Sequence, residues 1–218
     1  MTRIVPGIHS AGEAIRIRPK EVSELWLREG NLNPELDEIY QLAQKARVKI
    51  KRCNPVALDK ISPSNQGVVA HVEGGPQWPL FQDLKLKENG FLFTLDCLED
   101  PHNVGSLMRT AWNLGSLGIM SAKDRSAGFA PSSQKVATGA FEHVPFEEVT
   151  NLNSELTTLK DAGFWVYGLA EDGQKSLYEL EFAPKSIFVI GSESSGIRKS
   201  TLSACDETVN IPQSATGQ

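Results

Sequence analysis

Three apolar runs beyond residue 90, Phe91–Leu95, Phe164–Leu169 and Ser186–Ile190, constrain the fold more than any other feature. A near-continuous apolar run of this kind suits a strand covered on both faces. Segments of helical period lie between and after the runs: residues 103–115, Pro131 to Ala137, Ser154 to Ala162 closed by Gly163, and Ile197 to Ala204. Gly118-Ile-Met reads as another strand and Thr208 to Ile211 as a last one. Such alternation predicts an α/β domain with a mainly parallel sheet and helices on both faces.

A smaller α/β pattern occupies residues 1–74. Ile8 to Ile17 has helical spacing, and Val22-Ser-Glu-Leu-Trp-Leu27 alternates apolar with polar as a strand does. Asn33-Pro34 supplies an N-cap followed by proline at the first helical position, with Leu36, Ile39, Ala43 and Ala46 recurring behind it. Val48 to Cys53 and Gly67 to Val72 read as two more strands. Between the two patterns, residues 75–90 carry prolines and glycines and read as a linker with a short helix after Pro79. The expected division is a first domain at 1–74, a linker at 75–90 and a second domain at 91–218.

Composition narrows the setting. Cys53, Cys97 and Cys205 are widely spaced and odd in number, so neither a disulfide framework nor a zinc site is expected, and a reducing cytoplasm is. His9, His71, His102 and His143 lack metal-ligand spacing, so no metal site is expected either. The N-terminus runs from Ile4-Val5 straight into Pro6-Gly7, which predicts neither a signal peptide nor a membrane span. The net charge of −5 is unevenly spread: residues 1–74 hold 11 Lys/Arg against 9 Asp/Glu, and residues 75–218 hold 11 against 18. A locally basic module, with clusters at 16–20 and 45–52, is compatible with RNA, because phosphate contacts depend on local charge. A solvated helix face is the plainer account of the same charges.

Two polar stretches adjoin the predicted strands: Asn103-Val-Gly-Ser-Leu-Met-Arg109 and Gly191-Ser-Glu-Ser-Ser-Gly196. Both read as glycine-bearing turns between a strand and a helix, where open α/β sheets bind ligands. Neither has the spacing of a phosphate loop or a dinucleotide fingerprint. Leu107, Ala111 and Leu114 share one helical face and are expected to pack on the sheet. Taken singly, Asn103 is a helix cap and Arg109 a surface residue. The second stretch, with one carboxylate and three hydroxyls, offers backbone N–H groups to a ligand and Glu193 as an acceptor, or is simply a serine-capped helix.

Taken together and in order, these residues resemble the SpoU/TrmH-type RNA ribose 2′-O-methyltransferases of the SPOUT superfamily. Asn103-Val-Gly105-Ser-Leu-Met-Arg109-Thr-Ala111 is similar to that family's N-x-G-x-x-x-R-x-A, Gly191-Ser-Glu193-Ser-Ser-Gly196 to G-x-E-x-x-G, and Ile211-Pro212 to the opening of a third motif. Gly7-Ile-His-Ser and Gln66-Gly-Val-Val-Ala70 resemble the small L30e-like RNA-binding domain that precedes the catalytic domain in many members. Asp124-Arg-Ser-Ala127, Lys135-Val136, Gly139-Ala140 and Glu142-His-Val-Pro145 resemble the branch that methylates a guanosine in large-subunit ribosomal RNA.

The resemblance implies a trefoil-knotted second domain, one of the rare threaded folds. It also implies S-adenosylmethionine held among the knot loops, a homodimer with sites near its interface, and an RNA substrate. Gly191, Ile211 and Pro212 would contact the cofactor, with Leu169 and Ala170 in the neighbouring loop. Arg109 would be the main catalytic residue, with Asn103 and Glu193 shaping the site. The alternatives are a transfer-RNA ribose methyltransferase, a non-catalytic RNA-binding protein of the same fold, and last a nicotinamide-dependent enzyme, which lacks its glycine fingerprint here. The family pattern also continues past Ile-Pro into Ser-Leu-Asn and a C-terminal helix, whereas the sequence ends at Gln218. The expectation is that this is a fragment of a longer protein or that a mobile tail has been left out; taken as written, the chain is expected to bind cofactor poorly or be inactive.

Overall fold

The computed structural model describes residues 2–212. The end of the second predicted domain, residues 213–218, lies outside the described residues. Along the chain run β1 (Thr2–Pro6), α1 (Ile8–Ile17), β2 (Val22–Arg28), α2 (Pro34–Lys45), β3 (Ile50–Cys53), α3 (Pro55–Ile61) and β4 (Val68–Glu73). There follow α4 (Phe81–Leu86), β5 (Gly90–Asp96), α5 (Pro101–Leu114), β6 (Ile119–Ala122), α6 (Pro131–Val136), β7 (Phe146–Val149) and α7 (Leu152–Asp161). The last elements are β8 (Trp165–Leu169), β9 (Lys175–Ser176), β10 (Lys185–Gly191), α8 (Lys199–Leu202) and β11 (Glu207–Asn210). Contacts gather the chain into two compact units. One contains Met1–Pro76, Pro101–Asn113 and Ala127–Pro145; the other contains Gln77–Asp100, Leu114–Ser126 and Phe146–Gln218.

In the first unit, four strands form a mixed sheet in the order β1-β4-β2-β3, with β4 antiparallel to β1 and β2 and β3 parallel to β2. Leu25 and Leu27 of β2 pack with Ala11 and Ile15 of α1 and with Leu36, Ile39 and Ala43 of α2 in one core. Leu58 of α3 joins Cys53 and Val69 in a smaller cluster, packed with Ile4 and Trp26. The predicted Asn33 cap is present, its side chain accepting the Leu36 N–H at 2.9 Å. The same device starts α3, where Asn54 accepts from the Val56 N–H at 2.9 Å ahead of Pro55; neither α3 nor β1 was expected from the sequence.

The first unit also contains α6, packed beside β1, and a short 3-10 turn at Ala140–Glu142. Arg3 and Glu142, each only 3 % exposed, form a two-pronged ion pair with both N–O distances 2.9 Å. Arg18 donates to the same carboxylate, and Gln134 accepts from Arg3 at 3.2 Å. Charges this deeply buried persist only when paired and hydrogen-bonded.

The second unit is built on a seven-stranded sheet, order β7-β6-β5-β10-β8-β11-β9, in which every pairing is parallel. Leu92, Val166, Ile187 and Val189 from the apolar runs are fully buried, with Leu152, Leu156 and Leu159 of α7 in the same cluster. The parallel α/β sheet is therefore as expected. Local details differ from expectation. Strands β7 and β9 were not foreseen: β7 carries two adjacent glutamates and β9 is two residues long. The helix expected over 197–204 is reduced to α8, because the Arg198 backbone N–H donates to Asp96 and Arg198 is extended at ψ 143°. Finally, the chain leaves β5 toward β6 and β7 and later lays β10 on the opposite side of β5. That reversal of strand order is where open α/β sheets hold ligands, beyond the carboxyl ends.

Candidate active site

The first polar motif is not a turn. The turn after β5 lies at residues 97–100, where Cys97 adopts φ 64°, and α5 begins at Pro101. Asn103 through Arg109 are therefore helical, and Asn103 sits inside the first turn rather than at the cap. Gly105 is tolerated in the helix because no side chain would fit. A Cβ there would lie 2.6 Å from the Ser133 carbonyl oxygen and 2.7 Å from the Val136 Cβ, so α5 and α6 meet backbone to backbone. The buried face of α5 is Val104, Gly105, Met108 and Ala111, and Leu114 is 62 % exposed. The expected face of Leu107, Ala111 and Leu114 is thus rotated by about one residue, since the glycine contact fixes which side turns inward. Asn103 and Arg109 are exposed, and among the described residues no carboxylate pairs with the Arg109 guanidinium.

The second motif is a turn, and a tightly closed one. Ser192 and Gly196 exchange two backbone hydrogen bonds, each 3.0 Å, and the Ser195 N–H donates to the Ser192 hydroxyl at 3.1 Å. Those three backbone donors serve the turn itself. A Cβ on Gly191 would lie 2.1 Å from the Gly196 carbonyl carbon, so this position admits only glycine. Glu193 is exposed at the tip.

Sequence reasoning overlooked what anchors this turn. Asp96, fully buried at the end of β5 and in register with Gly191, accepts from the Arg198 backbone N–H at 2.8 Å and from its Nε at 2.7 Å. The Arg198 Nη2 completes the pair at 2.6 Å, and this hydrogen bonding raises the guanidinium above its usual pKa. A lone carboxylate closing an otherwise apolar strand was the available signal, because a buried charge demands a partner.

Leu169, Ala170, Ile211 and Pro212 come together, with Glu171, Val209 and Asn210, around a cavity of about 700 Å³ at the carboxyl ends of β8 and β11. The Ala170 N–H donates to Val209 at 3.0 Å, and the Asn210 side-chain amide donates to the Gly173 carbonyl at 2.7 Å. Gly173 is another close-approach position, where a Cβ would come within 2.3 Å of the Val209 carbonyl carbon. The cavity's size lies within the range of about 300–1,000 Å³ usual for small-molecule sites. Leu169, Val209 and the half-exposed Ile211 supply apolar wall, and Glu171 and Asn210 supply polar atoms. Asn103 and Arg109 belong to the first unit; Gly191, Glu193 and the cavity residues belong to the second. Among the described residues no group of three His, Cys, Asp or Glu is arranged to hold a metal ion, and no helix is long and apolar enough to cross a membrane.

Comparison with known proteins matches the chain to two families: SpoU rRNA Methylase over residues 90–218, and RNA 2′-O ribose methyltransferase substrate binding over residues 4–78. The 23S rRNA (guanosine-2′-O-)-methyltransferase RlmB of Pseudomonas syringae pv. tomato is 34 % identical over 215 residues, covering 96 % of this chain and 86 % of its own. The protein of the same name from Neisseria meningitidis serogroup B is 33 % identical over 218 residues, covering 98 % and 87 %. Among solved structures, the SpoU methyltransferase AviRb from Streptomyces viridochromogenes, in complex with the cofactor AdoMet, superposes with a TM-score of 0.81 at 23 % identity, covering 99 % of this chain and 82 % of its own. An AdoMet-bound rRNA methyltransferase from Sinorhizobium meliloti gives 0.77 at 17 % identity, covering 100 % and 80 %. At those identities the two structures speak for the fold alone. With a third of its residues shared along nearly its whole length, and the methylase family matched from β5 onward, this chain belongs to the SpoU rRNA methylase family.

Proposed function

We propose that the protein transfers a methyl group from S-adenosylmethionine to the 2′-oxygen of a ribose in RNA, a guanosine of large-subunit ribosomal RNA. The observation that carries this reading is the meeting of four cofactor residues expected from the family motifs, Leu169, Ala170, Ile211 and Pro212, around one cavity. The relatives' names support the substrate and the modified atom.

The cavity residues fit the cofactor. Apolar wall from Leu169, Val209 and Ile211 suits an adenine ring, while Glu171 and the backbone beside it offer hydrogen bonds to the polar parts. The closed turn after Gly191 borders the same sheet edge one strand away and would bound the cofactor there. When bound, S-adenosylmethionine supplies an electrophilic sulfonium methyl. The protein itself must orient the ribose hydroxyl and stabilise its oxygen as the proton leaves. Arg109 has the chemistry for this. A guanidinium stays protonated below about pH 12, so it cannot act as a base, but it can grip a phosphate and a developing alkoxide. The family resemblance gives Asn103 and Glu193 supporting roles in the same reaction.

Residues 1–74 serve as the L30e-like RNA-binding domain, 75–90 as the connection and 91–218 as the catalytic domain; the family boundaries at 4–78 and 90–218 support this division. The interleaved strand order, with β10 entering between β5 and β8 and β11 between β8 and β9, supports a trefoil-knotted chain. The protein works as a homodimer in the cytoplasm, where its ribosomal substrate is found. The test is transfer of labelled methyl from S-adenosylmethionine to unmodified ribosomal RNA, followed by nuclease mapping. Label on a guanosine 2′-oxygen is the expected result; label on a base, or only on transfer RNA, overturns the substrate assignment.

A further inference from the structure

Trp112 lies one helical turn beyond Arg109 on α5, at the i+3 spacing that makes helix residues neighbours. Its indole is 37 % exposed, yet it is held in place. One face stacks on the His143 ring, with centroids 4.2 Å apart and planes 12° from parallel. His143 is in turn fixed by Glu13 of α1, Nε2 to Oε1 at 2.9 Å, and Glu13 also holds Arg16 at 3.1 Å. Gly139, at φ 97°, permits this approach, since a Cβ there would stand 2.6 Å from the Glu13 Cβ. Four residues from two segments, α1 and residues 139–143, thus orient a ring that remains in contact with water.

We propose that Trp112 is a stacking platform for an unpaired nucleobase of the RNA substrate, next to the phosphate or ribose held by Arg109. The inference rests on the RNA substrate and on the role of Arg109 proposed above. Sequence-specific RNA recognition relies on splayed bases stacked on aromatic rings, and every base has a π-face to offer. Charge favours the same partner. Residues 101–114 contain no Asp or Glu, and the carboxylates nearby are engaged, Glu13 by His143 and Arg16 and Glu142 by Arg3 and Arg18. The indole N–H has no hydrogen-bond partner among the described residues and is available to the RNA. A ring placed only to fill space needs no such brace.

The experiment measures steady-state transfer and equilibrium binding with an unmodified 23S rRNA transcript, comparing wild type with W112A, W112L, W112F and H143A. W112L keeps apolar bulk without a π-face, so it stands in if W112A unfolds. W112A and W112L are expected to raise the KM for RNA about tenfold to a hundredfold while leaving the KM for S-adenosylmethionine unchanged. W112F should recover most of the loss, and H143A should fall between. The transcript should quench an indole emission component that W112F lacks. Unchanged RNA affinity in W112A and W112L overturns the proposal and leaves the transferase reading intact. A changed sedimentation coefficient with unchanged RNA affinity also overturns it and makes Trp112 a protein-contact residue. If wild type transfers no methyl, the proposed function fails, while binding and quenching by the same transcript still decide the role of Trp112.

Discussion

Gly105 and Gly191 look alike in the sequence, each part of a polar motif that follows an apolar strand, but they work differently. At Gly105 the missing side chain makes room for another element: α6 approaches α5 backbone to backbone. At Gly191 it makes room for the chain's own next residues, and the turn closes over it. The surroundings follow suit. The helix carrying Arg109 belongs to a unit that also contains a buried ion cluster, Arg3–Glu142–Arg18, whereas the Gly191 turn hangs from one carboxylate at a sheet edge. A glycine in a motif can therefore signal packing against another element in one place and closure of the chain's own turn in another.

Four substitutions probe this contrast. The largest effect is expected from Glu142→Ala, which leaves the buried Arg3 guanidinium without its anion and Arg18 with Glu21 alone. It should cost about 3–5 kcal/mol in chemical unfolding, and a loss below about 1 kcal/mol would mean the cluster does not hold the first unit. Arg109→Ala should lower methyl transfer by about 10²–10³-fold, with cofactor affinity in calorimetry near wild type; normal turnover would remove Arg109 from the mechanism. Gly105→Ala and Gly191→Ala make the most direct pair. Gly105→Ala should lower global stability by about 1–3 kcal/mol, as overpacking does. Gly191→Ala should instead distort one turn and weaken cofactor binding, with a smaller shift in melting temperature. Equal shifts from both would erase the distinction.

The smallest effect concerns Cys205, whose thiol is pushed up to about 11 by burial. At pH 8 only about one molecule in a thousand then carries the thiolate. Disulfide-reagent labelling of native Cys205 should be slow and speed up about tenfold per pH unit until about pH 11. Between about pH 9 and 11 the folded chain keeps a proton that the unfolded chain releases, so stability falls over that interval. Fast labelling at pH 8 would show that the layer behind the Gly191 turn opens readily.

Much of this was legible because burial leaves a periodic trace. Leu92, Val166 and Ile187 sit in the runs that predicted the parallel sheet, and Asn33-Pro34 announced α2. Boundaries were harder. Nothing periodic tells that the turn after β5 is finished by Asp100 and that Pro101 already starts the helix, so the first motif was assigned to a turn. The N-cap signal at Asn54-Pro55 was present but fronted only a seven-residue helix. Of the cavity, Leu169, Ala170, Ile211 and Pro212 were named through the family resemblance, and Glu171, Val209 and Asn210 were not. The Asp96–Arg198 anchor and the Trp112–His143–Glu13 stack join residues 102 and up to 130 positions apart, and no local pattern encodes such pairings.

The ion cluster also bears on synthesis. Arg3 is made well before its carboxylate partner, Glu142, which is 139 residues downstream. At translation rates of about 5–20 residues per second, roughly 7–28 seconds separate the two. Through that interval β1 carries a cation it cannot bury, so the nascent N-terminal sheet must wait, open along its β1 side, for a segment still inside the ribosome.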